Sequence, residues 1–296
     1  PRPYASRRPA GTGSCCWRRA APIGASGSVS PPASPARSTT AASAGVTTAS
    51  TSSPNSYTRV DARPAGWQWR IPLQSRYGNG LVYASKYLSD DEAAALLVSS
   101  IPGEKLNEPR VIRFRPGRRL KCWNKNCVAI GLSSGFIEPL ESTSIHLISS
   151  AIIRLMKMIP LEGIRQIDVD EYNRQSYDEL KLVRDFVALH YKVNNREDSE
   201  LWNYCRNMEV PAALETRIDI YRNSARLYWS QDELFTANSW NQVMIGQGIK
   251  SVGYHPVADL MPSEELHHFL RGYRQSIRDV VGKLPSHKEF IDGYVR

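Results

Sequence analysis

The spacing of apolar side chains changes character several times along this chain of 296 residues. Over residues 66–73, Trp67, Trp69, Ile71 and Leu73 alternate with other residues. That period of two predicts a strand with both tryptophans on one face. Residues 81–87 repeat the β-rich pattern beyond a Gly78-Asn-Gly80 turn signal, so the two stretches read as a hairpin. Ser89-Asp-Asp-Glu92 ahead of Ala93-Ala-Ala-Leu-Leu97 is a capping box and predicts a short helix. Alternation returns in Arg110-Val-Ile-Arg-Phe-Arg115, stops at Pro116-Gly117, and is followed by a brief strand over residues 121–123.

Residues 126–160 organise what surrounds them. The apolar run Cys127-Val-Ala-Ile130 ends at Gly131, and a small hydroxyl-rich turn, Leu132-Ser-Ser-Gly135, follows. Glu138 and Glu141 then lead into Ile145, Ile148, Ile152, Leu155 and Ile159. Offsets of three and four place those five on one face, which predicts a core helix. A strand, a glycine turn and a helix N-terminus in succession present backbone N–H groups to an anion or a ring edge. By spacing alone, both acids read as first-turn residues that complement the helix dipole.

Beyond residue 160 the period is helical. Helices are predicted over 168–194, 197–207 and 212–229, the last opened by Pro211, with 231–243 continuing the bundle. Ser263-Glu-Glu-Leu266 opens another that runs towards residue 283. The fold class is α/β in the sense of an α+β fragment, a β-containing middle (57–160) followed by a mostly helical part (161–296).

Residues 1–56 depart from this. Ser, Thr, Ala, Pro, Gly and Arg dominate, no period of 2 or 3.6 shows, and the chain starts at Pro1. They are expected to be a disordered tail or out-of-frame translation, without structure. The net charge of +9 invites a nucleic-acid reading, but six arginines and no acid fall in this stretch. The remainder carries 32 basic and 29 acidic residues, so nucleic acid is discounted as a partner. Five cysteines without a C-x-x-C fit ordinary buried thiols in a cytoplasmic protein. No apolar run reaches the ~18–20 residues of a membrane span, so no membrane association is expected. Six histidines show no metal spacing, and no metal site is expected.

Two motifs carry a resemblance. The string Gly131-Leu-Ser-Ser-Gly-Phe-Ile-Glu-Pro-Leu-Glu-Ser-Thr-Ser-Ile145 resembles the active-site segment of flavin-dependent tryptophan halogenases. Gly66-Trp-Gln-Trp-Arg-Ile-Pro72 resembles that family's Trp-x-Trp-x-Ile-Pro motif. The likeness runs from about Tyr57 to the C-terminus and corresponds to the C-terminal part of an FAD-dependent monooxygenase-like fold. The dinucleotide-binding half of such a fold needs Gly-x-Gly-x-x-Gly at a strand-to-helix turn. Gly11-Thr-Gly13, Gly78-Asn-Gly80 and Gly246-Gln-Gly248 each lack the third glycine, and the chain is expected to be a truncated form without that half.

The resemblance implies a reaction in which reduced FAD, O₂ and chloride or bromide yield hypohalous acid that halogenates tryptophan or an indole-type ring. It makes Glu141 the catalytic carboxylate, and leaves Glu138 structural. Backbone amides of Thr143 and Ser144 would bind halide, with Ser144 standing where the best-known tryptophan-specific members have Gly. Leu132, Ser133, Ser134, Gly135 and Ile145 would contact the flavin. Trp67 and Trp69 would wall flavin from substrate, and Trp240 would touch the aromatic substrate; as residues, all three equally suit core packing. No lysine matches the context of the family's active-site lysine. The implied partners are a separate flavin reductase supplying reduced FAD, an aromatic small molecule, and a second copy of the chain as a homodimer. Two other readings stand beside this one. A flavin monooxygenase that hydroxylates is disfavoured by the two tryptophans, which would obstruct direct contact. A truncated, non-catalytic remnant fits the missing glycine fingerprint and lysine.

Overall fold

A computed structural model describes residues 41–49, 55–160, 162–230 and 233–294. Strands β1 (Ala41–Ala49), β2 (Arg59–Arg63), β3 (Gly66–Pro72), β4 (Arg76–Ala84) and β5 (Arg110–Phe114) form one sheet in the order β2-β3-β4-β1-β5. Every neighbouring pair is antiparallel. On β4, Leu81 and Tyr83 face one layer while Val82 and Ala84 face another, so this central strand is buried on both sides.

The β3–β4 hairpin is present, but its turn is not Gly78-Asn-Gly80. The chain reverses over residues 73–76, where Leu73 N–H donates to the Arg76 carbonyl at 2.8 Å. Both glycines lie inside β4, with Gly78 opposite Ile71 and Gly80 opposite Trp69. A Cβ on Gly80 would stand 2.3 Å from the Trp69 indole. Glycine is there because the ring crosses the neighbouring strand.

β1 corrects the expectation that residues 1–56 carry no structure; residues 1–40 and 50–54 lie outside those described. It pairs with β4 and β5 and buries Ala42, Ala44 and Val46 against α1 (Asp90–Ser100). Its alternation is of small side chains, Ala, Ser, Gly and Thr, which give little contrast between faces, so no period was visible. The helix α1 starts at the expected capping box, with Ser89 and Glu92 exchanging hydrogen bonds. Tyr83 ties it to the sheet by donating to Asp90 at 2.7 Å, and Arg113 pairs with the same carboxylate.

Four two-residue strands follow, β6 (Gly117–Arg118), β7 (Trp123–Asn124), β8 (Cys127–Val128) and β9 (Gly135–Phe136). β6 pairs with β9, and β7 with β8 around a left-handed Lys125. Cys127, expected to be buried, is exposed on this small hairpin, whereas Cys205 is buried.

The helices are α2 (Ser144–Met158), α3 (Gln166–Lys192), α4 (Glu200–Asn207), α5 (Ala212–Ser224), α6 (Ala237–Gly246), α7 (Ser263–Val281) and α8 (His287–Tyr294). α2 is not the core helix its spacing predicted. Ile145, Ile152 and Ile159 are exposed, and Ala151 is its buried residue. The helix packs through Leu155 and Met158 beside Trp123, Val169 and Tyr172, and the isoleucines turn away from that contact. α5 ends at Ser224 because Ala225 turns left-handed, five residues short of the expected limit. α6 starts at Ala237, later than expected, and α8 is a helix that the sequence pattern did not suggest.

Two cores fix the site. Phe186, Leu189, Leu214, Ile218, Trp240 and Met244 join α3, α5 and α6. Trp67 and Val82 of the sheet pack on Val187, Tyr191, Trp202 and Cys205 of α3 and α4. α3 therefore runs between both cores, and its last turns are held on two sides.

Candidate functional site

Between β8 and β9 the chain makes a single 3-10 turn over Gly131–Ser133. Gly131 has a φ of +69°, a left-handed conformation that suits glycine, and a Cβ there would meet Ile148 at 3.2 Å. The serine hydroxyls hold the turn together. Ser133 Oγ donates to the Ile130 carbonyl at 2.8 Å and Ser134 Oγ to that of Gly131 at 2.7 Å. Arg119 fastens the turn from outside, through its backbone N–H to Ser134 and its side chain to the Ser133 carbonyl.

Residues 139–142 form a second tight turn, with Ser142 N–H donating to the Pro139 carbonyl at 3.0 Å. Ser142 takes a left-handed φ of +51°, which swings the chain into α2. Non-glycine residues adopt this region at a cost, and such residues cluster at functional sites. Thr143 is the N-cap of α2 and makes no side-chain capping bond. The first amides of the helix, which have no intrahelical acceptor, are thus left for another partner. A cavity of about 60 Å³ lies between the glycine turn and the start of α2, bounded by Leu132, Ser134, Gly135, Thr143 and Ser144, with Arg154 at its side; Glu141 does not line it. Arg154 is paired with Glu179 at 2.7 Å and is not free for an anion.

The two acids take separate partners from consecutive residues of α3. Glu141 Oε1 lies 2.8 Å from His190 Nε2, while His190 Nδ1 lies 2.9 Å from the Phe186 carbonyl oxygen. Tyr191 donates its hydroxyl to Glu138, at 2.8 Å from one oxygen and 2.9 Å from the other. Trp67 Nε1 donates in turn to the Tyr191 oxygen at 3.0 Å. Neither acid lies in the first turn of α2, so the helix-dipole reading is corrected for both. Glu138 is instead a buried carboxyl whose pKa burial pushes up to about 7, against the opposing hydrogen bond from Tyr191 and charge of His190. Burial first, and then the Glu138 charge, hold the Tyr191 phenol well above its ordinary range. The same two causes push the Cys205 thiol up to about 12.

The structure brings five of the residues singled out in the sequence onto one cavity: Leu132, Ser134, Gly135, Thr143 and Ser144. Ser133 and Ile145 do not line it and are exposed. Trp67 and Trp69 share one face of β3 in the sheet–helix core, Trp67 buried and Trp69 half-buried. Trp240 is 1 % exposed, edge-to-face with Phe186 at 5.0 Å and covered by the Arg217 guanidinium. Among the described residues it is a packing side chain, one ring removed from His190 through Phe186. His190 and Tyr191 were not read from the sequence. They stand 49 and 53 residues from the acids they hold, and no local pattern connects such positions.

The surface here carries exposed apolar groups of the kind on which a flavin ring would pack. Leu132 and Ile145, 74 % and 77 % exposed, offer apolar side chains beside a glycine turn whose backbone runs along the cavity edge. No glycine-rich strand-to-helix turn for the pyrophosphate occurs among the described residues. No group of three or more His, Cys, Asp or Glu gathers there as a metal site, and no described helix is long and apolar enough to cross a membrane.

The family profile described as tryptophan halogenase matches residues 38–263. The tryptophan 7-halogenase RebH of Lentzea aerocolonigenes is 30% identical over 253 residues, covering 79% of this chain and 48% of the relative. Among solved structures, the flavin-dependent halogenase Xcc4156 from Xanthomonas campestris superposes with a TM-score of 0.85 at 46% identity, over 88% of this chain and 52% of that one. BrvH, a flavin-dependent halogenase from Brevundimonas sp. BAL3, superposes at 0.83 with 44% identity, over 87% and 53%. The chain thus spans about half the length of the proteins it matches.

Proposed function

The chain belongs to the tryptophan halogenase family, and from that membership we propose that it forms the substrate-side half of an FAD-dependent halogenase acting on tryptophan or a related indole. The observation that carries this reading is the placement of Glu141. It stands one turn ahead of the uncapped α2 N-terminus, on a strained turn, and is held by a residue from the largely buried last turns of α3.

Bound reduced FAD supplies two electrons, which with O₂, halide and a proton give hypohalous acid, oxidised flavin and water. The residues of this chain then have distinct tasks. Backbone N–H groups at Thr143 and Ser144 hold the halide without any side-chain charge. Leu132, Ser133, Ser134, Gly135 and Ile145 form the face that receives the flavin ring. Trp67 and Trp69 wall that side from the aromatic substrate. Glu141 orients the hypohalous acid or accepts the ring proton as the carbon–halogen bond forms and water leaves, the ordinary work of a carboxylate base. A flavin reductase supplies the reduced cofactor, and the partner substrate is a planar aromatic small molecule.

The test is product analysis of the full-length protein with a reductase, FAD, NADH, O₂, and tryptophan or indole, in chloride and in bromide. Ring-halogenated product that switches halogen with the salt supports the reading. Hydroxylated product, or flavin oxidation with no ring product in either salt, sinks it in favour of the hydroxylase or of the inactive remnant.

A further inference from the structure

We propose that His190 is the positioning residue of Glu141, fixing which carboxylate oxygen faces the substrate. This rests on the reading of Glu141 given above. His190 Nδ1 lies 2.9 Å from the carbonyl oxygen of Phe186, which can only accept, so Nδ1 carries a hydrogen. Nε2 lies 2.8 Å from Glu141 Oε1. Two lone pairs would repel at that distance, so one proton lies between them, shared by an imidazole and a carboxyl or by their charged forms. In both forms Oε1 is committed to His190. Oε2 is the oxygen left to meet the substrate.

The imidazole is well fixed for such a role. Its backbone lies in the last turns of α3, between the buried Leu189 and Tyr191. Its ring packs edge-to-face on Phe186 at 5.1 Å, and Phe186 is stacked on Phe235 at 3.8 Å. Glu141 has no such support of its own, because it sits in the turn before α2 and not in the helix. When the halogenated ring loses its proton, the C–H bond breaks, its electron pair restores aromaticity, and the O–H bond forms at Oε2; where the shared proton rests on Oε1, it passes to His190 Nε2 as that bond forms. Oε1 keeps its bond to His190 throughout. Geometry of this kind matters, since a misplacement of about 1 Å can cost on the order of 100-fold in rate.

The experiment uses the full-length holoenzyme with His190→Leu, His190→Gln and Glu141→Gln. Leucine removes the contact, while glutamine can place an amide N–H near the position of Nε2. We expect His190→Leu to lower kcat for halogenated product by roughly 10–100-fold with KM for the aromatic substrate within about threefold, and His190→Gln to recover most of the loss. The double variant His190→Leu/Glu141→Gln should lose little beyond Glu141→Gln alone, because the two act as a unit. Independently of turnover, the ¹⁵N resonance of His190 Nε2 should shift on Glu141→Gln. Wild-type kcat in His190→Leu, no recovery in His190→Gln, or an Nε2 resonance unmoved by Glu141→Gln each overturns the proposal. If Glu141→Gln itself keeps wild-type product formation, the reading of Glu141 is what fails, and the His190 contact can still be judged by the resonance.

Discussion

The Tyr191 hydroxyl bridges both carboxylate oxygens of Glu138, 2.8 Å from one and 2.9 Å from the other, at a point where both residues are buried. Trp67 completes the chain by donating to the same phenol. A motif residue of the sheet and a motif residue ahead of α2 are thereby joined through one tyrosine of α3. The desolvation of a buried carboxylate is what makes this link sensitive to pH.

Glu138 should weaken the fold as pH rises through the neutral range. Its pKa is raised from an ordinary 4.5 to about 7, so between those values the native state binds more protons than the unfolded chain. Stability then falls with rising pH across that window, by on the order of 3 kcal/mol, and levels off above it. Glutamine has the same shape and no charge to bury. Urea midpoints of wild type and Glu138→Gln, measured at pH 5 and pH 8, should cross over in favour of the variant at the higher pH. Parallel shifts of the two proteins would contradict the raised pKa.

Tyr191→Phe deletes the hydroxyl that serves Glu138 and Trp67 together. A buried carboxylate without its donor costs roughly 1–3 kcal/mol, and the penalty should grow with pH because the charged form suffers most. Combining Tyr191→Phe with Glu138→Gln should cost less than the sum of the two single changes. Additive costs would mean the hydrogen bond contributes nothing to the folded state.

What could be read in advance follows the range of the forces involved. The capping box at Ser89, the strand at Arg110–Phe114 and the long helix around Tyr172 and Phe186 are local patterns, and they appear where the sequence put them. Leu132, Ser134, Gly135, Thr143 and Ser144 come from one continuous motif, so bringing them to one cavity needed no distant pairing. Gly78 and Gly80 misled because a glycine signals either a turn or a crowded strand, and a tryptophan on the neighbouring strand decided between them. β1 stayed hidden because alanine and serine differ too little in hydrophobicity to mark a face. His190 and Tyr191 depend on tertiary contact alone, and so do the separate partners that the two acids take.

The crowding at Gly80 gives a local test of the tryptophan pair. Gly80→Ala places a Cβ 2.3 Å from the Trp69 indole, whereas a Cβ at Gly78 lies at an ordinary 3.4 Å from the same ring. Gly80→Ala should cost roughly 1–3 kcal/mol by forcing the indole aside, and Trp69 fluorescence in a protein with that change should report a more exposed ring. Gly78→Ala should be neutral or slightly stabilising, since alanine loses less backbone entropy in a strand. Equal effects at both positions would show that the cost is backbone and not the ring.

The last expectation separates the two carboxylates by what each variant damages. Glu141 is part-exposed, stands on the strained turn before α2 and has an imidazole as partner. Glu138 is buried and accepts the Tyr191 hydroxyl. In the full-length protein, Glu141→Gln should lower halogenated product per flavin oxidised by about 10²–10⁴-fold, the usual loss for one acid–base group. Its effect on the urea midpoint should be small, because glutamine keeps the size and the contact with His190. Glu138→Gln should do the reverse, shifting the pH dependence of stability while product per flavin oxidised stays within a few-fold of wild type. Both measurements on both variants form a two-by-two comparison with opposite signs along its diagonal. A deep loss of product from Glu138→Gln, with Glu141→Gln still productive, would place the chemistry at the buried acid, and Tyr191 would then take the part assigned to His190.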